Sequence, residues 1–232
     1  MYEDKDFFKL EKKLGVRFKN LDLLKQAFVH RSYLNENRRF PLEHNERLEF
    51  LGDAVLELVV TEYLYRNYKN SEGELTNWRA ALVKGEKLSE LAKKLGYEHY
   101  LYLSRGEKKG SEKARRLILA NTFEAVLGAI YLDQGIKSCE KLIKGYLLSE
   151  LREILKDKSY IDAKTRLQEY FQERKGITPQ YILLEAKGPD HNKYFKMGVE
   201  VEGKRLGIGE GMSKQKAEQE AAHKALQKLG EL

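Results

Sequence analysis

Four acidic residues fall on one strip of a segment that otherwise has almost no polar side chains. The segment reads Asn45-Glu46-Arg47-Leu48-Glu49-Phe50-Leu51-Gly52-Asp53-Ala54-Val55-Leu56-Glu57-Leu58-Val59-Val60. At about 100° per residue, a helix brings Glu46, Glu49, Asp53 and Glu57 onto one narrow face. From Leu48 to Val60 every other position is apolar or glycine. A helix that is apolar nearly all round is expected to be buried, so these acids are not an ordinary solvated face. The helix dipole accommodates Glu46 and Glu49 in the first turn, and Glu57 fits a domain edge. Asp53 has neither explanation, since it sits two turns in beside Gly52, a poor helix former. A metal-binding or catalytic role for Glu49 and Asp53 stands level with the plainer explanations.

A second segment has the same character. Leu117-Ile118-Leu119-Ala120-Asn121-Thr122-Phe123-Glu124-Ala125-Val126-Leu127-Gly128-Ala129-Ile130-Tyr131-Leu132 is apolar or glycine except at Asn121, Thr122, Glu124 and the tyrosine hydroxyl. Asn121 and Glu124 are three apart and share a helix face. The plain alternative is that Asn121 or Thr122 bonds to backbone while Glu124 pairs with Arg115 or Arg116. Two buried acidic strips are costly separately, but facing one another they supply the hard oxygen ligands that suit Mg2+.

Positioning these groups requires long helices, and the periodicity predicts them. Apolar residues recur at three- and four-residue spacing over 4–14, 21–31, 45–68, 74–95, 113–134 and 137–156, with Asn45 expected as an N-cap and Gly135 as a helix end. Beyond Lys156-Asp157-Lys158-Ser159 the period changes. A helix is expected over 162–175, strands over 181–184, 194–201 and 205–209, and a last helix over 213–229 with Ser213 as N-cap and Gly230 just past its end. The chain therefore divides into an all-α domain, 1–156, and a small α+β domain of order α-β-β-β-α, 160–232.

The 232 residues are 41% hydrophobic, enough for two cores, which excludes wholesale disorder. The longest apolar run, Ala125 to Leu132, is far short of the roughly 20 residues of a membrane span, so a soluble protein without a membrane partner is expected. The first six residues carry both charge signs and no apolar stretch, which predicts no secretory leader and a cytoplasmic location. Cys139 is the single cysteine, which excludes a disulfide scaffold and a cysteine-rich zinc site. Net charge is +7, favouring a polyanionic partner, but no basic tail concentrates it.

With these residues set out, a resemblance is legible. Asn45 to Asp53 is similar to the signature of bacterial ribonuclease III. His30-Arg31-Ser32-Tyr33-Leu34-Asn35-Glu36 upstream, Thr122-Phe123-Glu124-Ala125 downstream and the second domain, which resembles a double-stranded RNA-binding domain, extend the likeness over essentially the whole chain. The resemblance implies that Glu49, Asp53 and Glu124 ligate metal, with Asp53 and Glu124 closest to catalysis. It gives Glu46 a supporting place at the signature helix and dimer contact, and Glu72 and Glu107 auxiliary weight. It also implies a homodimer formed through the endonuclease domain, whose two sites cut opposite strands of one RNA duplex and leave 5′-phosphate and 3′-hydroxyl ends. Processing of ribosomal and messenger RNA is the implied cellular role.

The chain departs from the family pattern at Asn121, where many members have aspartate as a metal ligand. Asparagine keeps a carbonyl oxygen of similar reach but loses a negative charge. A working ligand is the expectation, because the other carboxylates remain and an amide oxygen coordinates Mg2+, or Mn2+ in its place. The alternative is a non-cleaving regulator that binds double-stranded RNA, its nuclease site disabled by Asn121; a purely structural dimer within a larger ribonucleoprotein ranks below both. The expected chemistry is metal-assisted phosphodiester hydrolysis, with no protein nucleophile such as Cys139.

Double-stranded RNA is recognised by shape, across two successive minor grooves and the phosphates between them. On the first helix of the second domain, Gln168 and Glu169 are placed to reach one groove. The loop Gly188-Pro189-Asp190-His191-Asn192-Lys193 resembles the family loop that enters the next, with His191 as reader beside Lys193. Ser213, Lys214 and Lys216 set a helix N-terminus and cations against phosphates. Gln215 stands where the family often has lysine. Phe171, Tyr181, Phe195 and Val199 are expected in the core rather than under bases, and His30, Arg31 and Trp78 are expected to be structural.

Overall fold

The computed structural model describes residues 5–151, 155, 163–189 and 193–231. The chain forms two compact units, Met1–Asp157 and Lys158–Leu232. The expected boundary at 156–159, the expected helix starts at Asp4 and Asp162, and His191 lie outside the described residues.

The first unit is helical: α1 (Phe7–Leu14), α2 (Leu21–Ala27), α3 (Arg31–Glu36), α4 (Glu46–Asn67), α5 (Glu72–Leu82), α6 (Gly85–Lys94), α7 (Arg105–Lys108), α8 (Glu112–Gln134) and α9 (Ile136–Tyr146), with short 3-10 turns at Tyr97–Tyr100 and Leu148–Glu150. Three expected helices differ: the one over 21–31 ends early, the one over 74–95 is broken in two, and the one over 137–156 ends at Tyr146, before the 3-10 turn Leu148–Glu150. The one over 21–31 ends at Ala27, and the fully buried Phe28 and Val29 that follow are not helical. The chain extends there instead, with His30 N–H donating to Tyr102 O (3.1 Å) and Tyr102 N–H to Phe28 O (2.9 Å). The helix over 74–95 breaks at Val83–Lys84. Leu82 and Leu88 both reach the core, yet one straight helix would set them about 120° apart. A capping box starts α5, with Ser71 N–H donating to Glu74 Oε2 (3.1 Å) and Glu74 N–H to Ser71 Oγ (3.4 Å).

The centre of the unit is the packing of α4 on α8. Leu56, Val60, Phe123, Val126, Leu127 and Ile130 are buried there, each worth about 1.5–3 kcal/mol on transfer from water. The two backbones touch where Gly52 meets Gly128. A Cβ on Gly52 would collide with the Glu124 carbonyl and lie 2.9 Å from Gly128 N; one on Gly128 would collide with the Leu48 carbonyl and lie 3.2 Å from Gly52 N. Asn45 precedes α4 but makes no side-chain cap; its Nδ2 donates instead to Ala27 O (3.1 Å), tying α2 to the start of α4. The expected burial of α4 all round is not found: Phe50 is 82% exposed, and Leu58 is also exposed. One apolar face of α4 therefore has no cover within the unit.

The second unit runs α10 (Ala163–Lys175), β1 (Gln180–Lys187), β2 (Tyr194–Val201), β3 (Lys204–Gly211) and α11 (Lys214–Lys228), with an antiparallel sheet of order β1-β2-β3. Its core joins Leu167 and Phe171 of α10, Val199 and Val201 of β2, and Ala221, Ala222, Ala225 and Leu226 of α11; Tyr181 packs against it, while Phe195 is half-buried. Alanines on α11 meet glycines on β3, so the helix lies directly on the strand; a Cβ at Gly207 would strike the Ala221 carbonyl. Glu202 (φ 51°) and Gly203 (φ 74°) turn β2 into β3, with Val201 paired to Lys204. Both central residues are left-handed, as a two-residue hairpin requires.

Candidate active site and nucleic-acid interface

The α4–α8 crossing brings Glu49, Asp53, Asn121 and Glu124 into one electrostatic cluster. Glu49 and Asp53 are successive turns of α4, and Asn121 and Glu124 are neighbours on α8. Glu124 is pushed up to about 7, first by burial and then by the charges of Asp53 and Glu49. Burial also raises Glu49, opposed by a hydrogen bond from the Asn121 side chain and reinforced by the charges of Glu46 and Asp53. The plain alternative for Glu124 is absent. Arg115 donates to Lys108 O (3.0 Å) and Arg116 pairs with Glu112 (2.6 Å). Thr122 does bond to backbone, through Oγ1 to Ile118 O (2.7 Å).

Among the described residues, no three His, Cys, Asp or Glu side chains form a group that could hold a metal ion by themselves. The donor set nonetheless fits a hard divalent cation. It offers three carboxylates and one amide, all oxygen donors, and the raised Glu124 marks an excess of negative charge in a half-buried position.

The auxiliary acids separate into two groups. Glu46 pairs with Arg31 (3.5 Å) and His44 (3.7 Å) and acts on Glu49 through its charge. Glu107 takes a cap from Ser104, its N–H donating to Oγ (3.1 Å), and its charge, like that of Glu46, acts on His30. Glu72 is not brought to the cluster: it opens α5 beyond the far end of α4, about 21 Å of helix rise past Asp53. There it accepts from Thr76 Oγ1 (3.4 Å).

His30 links the two nearer acids, a placement with no signal in helical periodicity. Its Nδ1 accepts from Ser32 N–H (3.3 Å) and lies 2.8 Å from Ser32 Oγ, which in turn accepts from Ser104 N–H (3.2 Å). That occupancy sets the neutral ring's proton on Nε2. Burial lowers the His30 pKa, and Glu107 and Glu46 oppose the shift. Trp78 is buried edge-on against Tyr68.

In the second unit the expected RNA-facing groups stand on α10, the β1–β2 connection and the start of α11. Gln168 and Glu169 are exposed on α10. Lys164 at the start of α10 pairs with Glu218 of α11 (2.6 Å). Lys187 pairs with Tyr194 and Phe195 with Gly211, so the connection ending at Lys193 leaves the sheet at the end where α11 begins. Ser213 caps α11 by accepting Lys216 N–H (3.2 Å), with Lys214 and Lys216 both exposed. A helix N-terminus flanked by two cations is an anion site in form.

Comparison with known proteins agrees with both halves. A Ribonuclease-III-like family model matches residues 20–151, and a double-stranded RNA binding motif matches 163–229. Ribonuclease 3 of Streptococcus thermophilus is 44% identical, over 96% of this chain and 97% of its own. Ribonuclease 3 of a Geobacillus species is 47% identical, over 96% and 91%. The nuclease domain of ribonuclease III from Campylobacter jejuni superposes with a TM-score of 0.57 at 36% identity, covering 63% of this chain and 97% of that one. Near-complete coverage, the paired acidic helices and the α-β-β-β-α unit together lead to one assignment: the chain belongs to the ribonuclease III family.

Proposed function

We propose that this chain is a homodimeric, Mg2+-dependent endoribonuclease that hydrolyses double-stranded RNA to 5′-phosphate and 3′-hydroxyl ends, acting in the cytoplasm in ribosomal and messenger RNA processing and decay. One observation carries it: a half-buried carboxylate cluster across α4 and α8 belongs to the same chain as a double-stranded RNA binding motif. Asp53 and Glu124 are the catalytic pair, and Glu49 and Asn121 complete the oxygen set around Mg2+, or Mn2+ in its place. A divalent cation held there supplies a Lewis acid for the phosphate and lowers the pKa of water. Glu124, pushed up to about 7 without metal by burial and by the charges of Asp53 and Glu49, would give up its proton to ligate the cation. Asn121 steadies Glu49 through its amide while leaving a carbonyl oxygen to coordinate.

RNA is held by the second unit, with Gln168, Glu169 and the 188–193 connection, including His191, in successive minor grooves. Lys193, Lys214, Lys216 and the Ser213-capped helix start lie against phosphates. Phe50, Leu58 and Tyr65 of α4 are exposed, and a cavity of about 640 Å3 beside Phe50 is walled by Leu23, His44, Leu51 and Leu132. An apolar stripe of this kind beside a recess supports association of two copies through α4. Among the described residues no helix is long and apolar enough to cross a membrane. The non-cleaving alternative is not favoured, because the curated relatives carry the enzyme name and Asn121 retains its partner in the cluster.

The test is digestion of a labelled RNA duplex and of its separate strands in Mg2+. Cleavage of the duplex alone, with products that ligate through 5′-phosphates, supports the proposal. Cleavage of single strands, or none at all, rejects it.

A further inference from the structure

The contact between Gly52 and Gly128 does more than pack two helices. We infer that Gly128 is a positioning residue for the divalent cation: it permits the close α4–α8 approach that sets Glu49 and Asp53 of one helix opposite Asn121 and Glu124 of the other. The inference rests on the metal reading of the site given above.

The geometry is reciprocal. The carbonyl of Leu48 occupies the space that a Gly128 Cβ would take, and the carbonyl of Glu124 occupies the space of a Gly52 Cβ. Leu48 adjoins Glu49, and Gly52 adjoins Asp53. Gly128 lies one turn beyond Glu124. This close backbone approach therefore sits among Glu49, Asp53 and Glu124. The obstruction at Gly128 is backbone, not the end of a flexible chain, so a methyl group there forces the helices apart or shifts them along each other. Packing does not require this glycine on grounds of turn or cap, because Gly128 lies inside α8 and is not among the residues with positive φ. Glycine in a helix interior costs about 1 kcal/mol relative to alanine. A metal site tolerates little displacement, since its ligands converge within a few tenths of an ångström. Gly85 offers the contrast: it opens α6, and a Cβ there meets only Ala120 Cβ, at 3.8 Å.

The inference is tested by measuring Mg2+ and Mn2+ affinity calorimetrically on the full chain without RNA, for wild type, Gly128→Ala and Leu10→Ala. Leu10 is fully buried in α1 and serves as a control for general loss of stability. Gly128→Ala is expected to weaken metal binding by about ten- to a hundred-fold, the range seen when supporting residues around a metal are lost. Leu10→Ala is expected to lower Tm with metal affinity unchanged. Equal affinity for Gly128→Ala and wild type overturns the inference, and so does an equal loss of affinity in both variants. Absence of metal binding by the wild type refutes the underlying metal reading instead. A wild-type measurement covers the case in which Gly128→Ala does not fold: amide hydrogen exchange over 48–53 and 124–128 should slow when Mg2+ is added. Exchange there that is indifferent to bound Mg2+ overturns the inference independently of any variant.

Discussion

Asn121 on α8 acts on Glu49 of α4 across the helix crossing, holding its carboxyl down against the burial that raises it. An aspartate at 121 could not do this when ionised; it would add a fourth carboxylate beside three others. The asparagine exchanges one unit of ligand charge for a neutral amide that favours the ionised Glu49. Asn121→Asp should therefore raise Mg2+ affinity, by about tenfold from the added charge, and leave kcat at saturating metal within about threefold. Calorimetric titration and initial rates across a Mg2+ series separate the two effects.

The pH dependence of stability follows from Glu124. Its carboxyl is raised from the ordinary 4.5 to about 7 in the folded protein, so between those values the folded state holds a proton that the unfolded state has released. Stability of the metal-free protein therefore falls as pH rises through this window. Glu124→Gln should remove that slope and raise the metal-free Tm at about pH 8 by roughly 3 °C. Mg2+ should flatten the wild-type slope and bind more tightly as pH rises. Thermal melts with and without Mg2+ at several pH values give both results.

Glu150 predicts the opposite sign. It pairs with Lys87 and with Lys94 (3.1 Å), and these partners hold its carboxyl below the ordinary range despite a desolvation cost. Its stabilisation is present above the unfolded value and is lost as pH falls through the depressed folded value. Glu150→Gln should lower Tm by about 3 °C near neutrality, corresponding to roughly 1 kcal/mol after solvent screening. At acidic pH the variant and wild type should melt together.

The apolar stripe on α4 makes a prediction about assembly. Phe50 is 82% exposed although it sits in a segment where, from Leu48 to Val60, all but three residues are apolar or glycine. Phe50→Glu should yield a folded monomer of 27.0 kDa with an unchanged helical signal and much reduced cleavage. Sedimentation equilibrium reads the mass directly.

Lys214→Ala and Lys216→Ala should each weaken duplex binding evenly across RNA sequences. Each should also lower the dependence of log Kd on log salt by about one. Filter binding over a salt series measures this.

Much of the site was legible because its signal is local. Carboxylates at 49 and 53, and an asparagine and a carboxylate at 121 and 124, depart from an apolar background, and helical spacing alone puts each pair on one face. The start of the last helix was equally local, with Ser213 as its cap, while the β2–β3 turn is one residue shorter than expected because Lys204 already pairs with Val201. What escaped depends on contacts far apart in sequence. His30 is recruited by Ser104, and the helix over 21–31 breaks because Tyr102 binds Phe28 and His30. Asn45 turned from cap to tether when α2 arrived beside it. The exposure of Phe50 was invisible because composition registers apolarity, not whether cover comes from the same chain.

The most direct test of the central claim compares wild type, Asn121→Asp and Glu124→Gln on one end-labelled RNA duplex in Mg2+, with duplex binding measured in parallel. Wild type and Asn121→Asp should both cut, while Glu124→Gln binds the duplex as well as wild type and cuts at least about a hundredfold more slowly. Unimpaired cleavage by Glu124→Gln, or cleavage by Asn121→Asp alone, would contradict the assignment of the α4–α8 cluster as a working site in this chain.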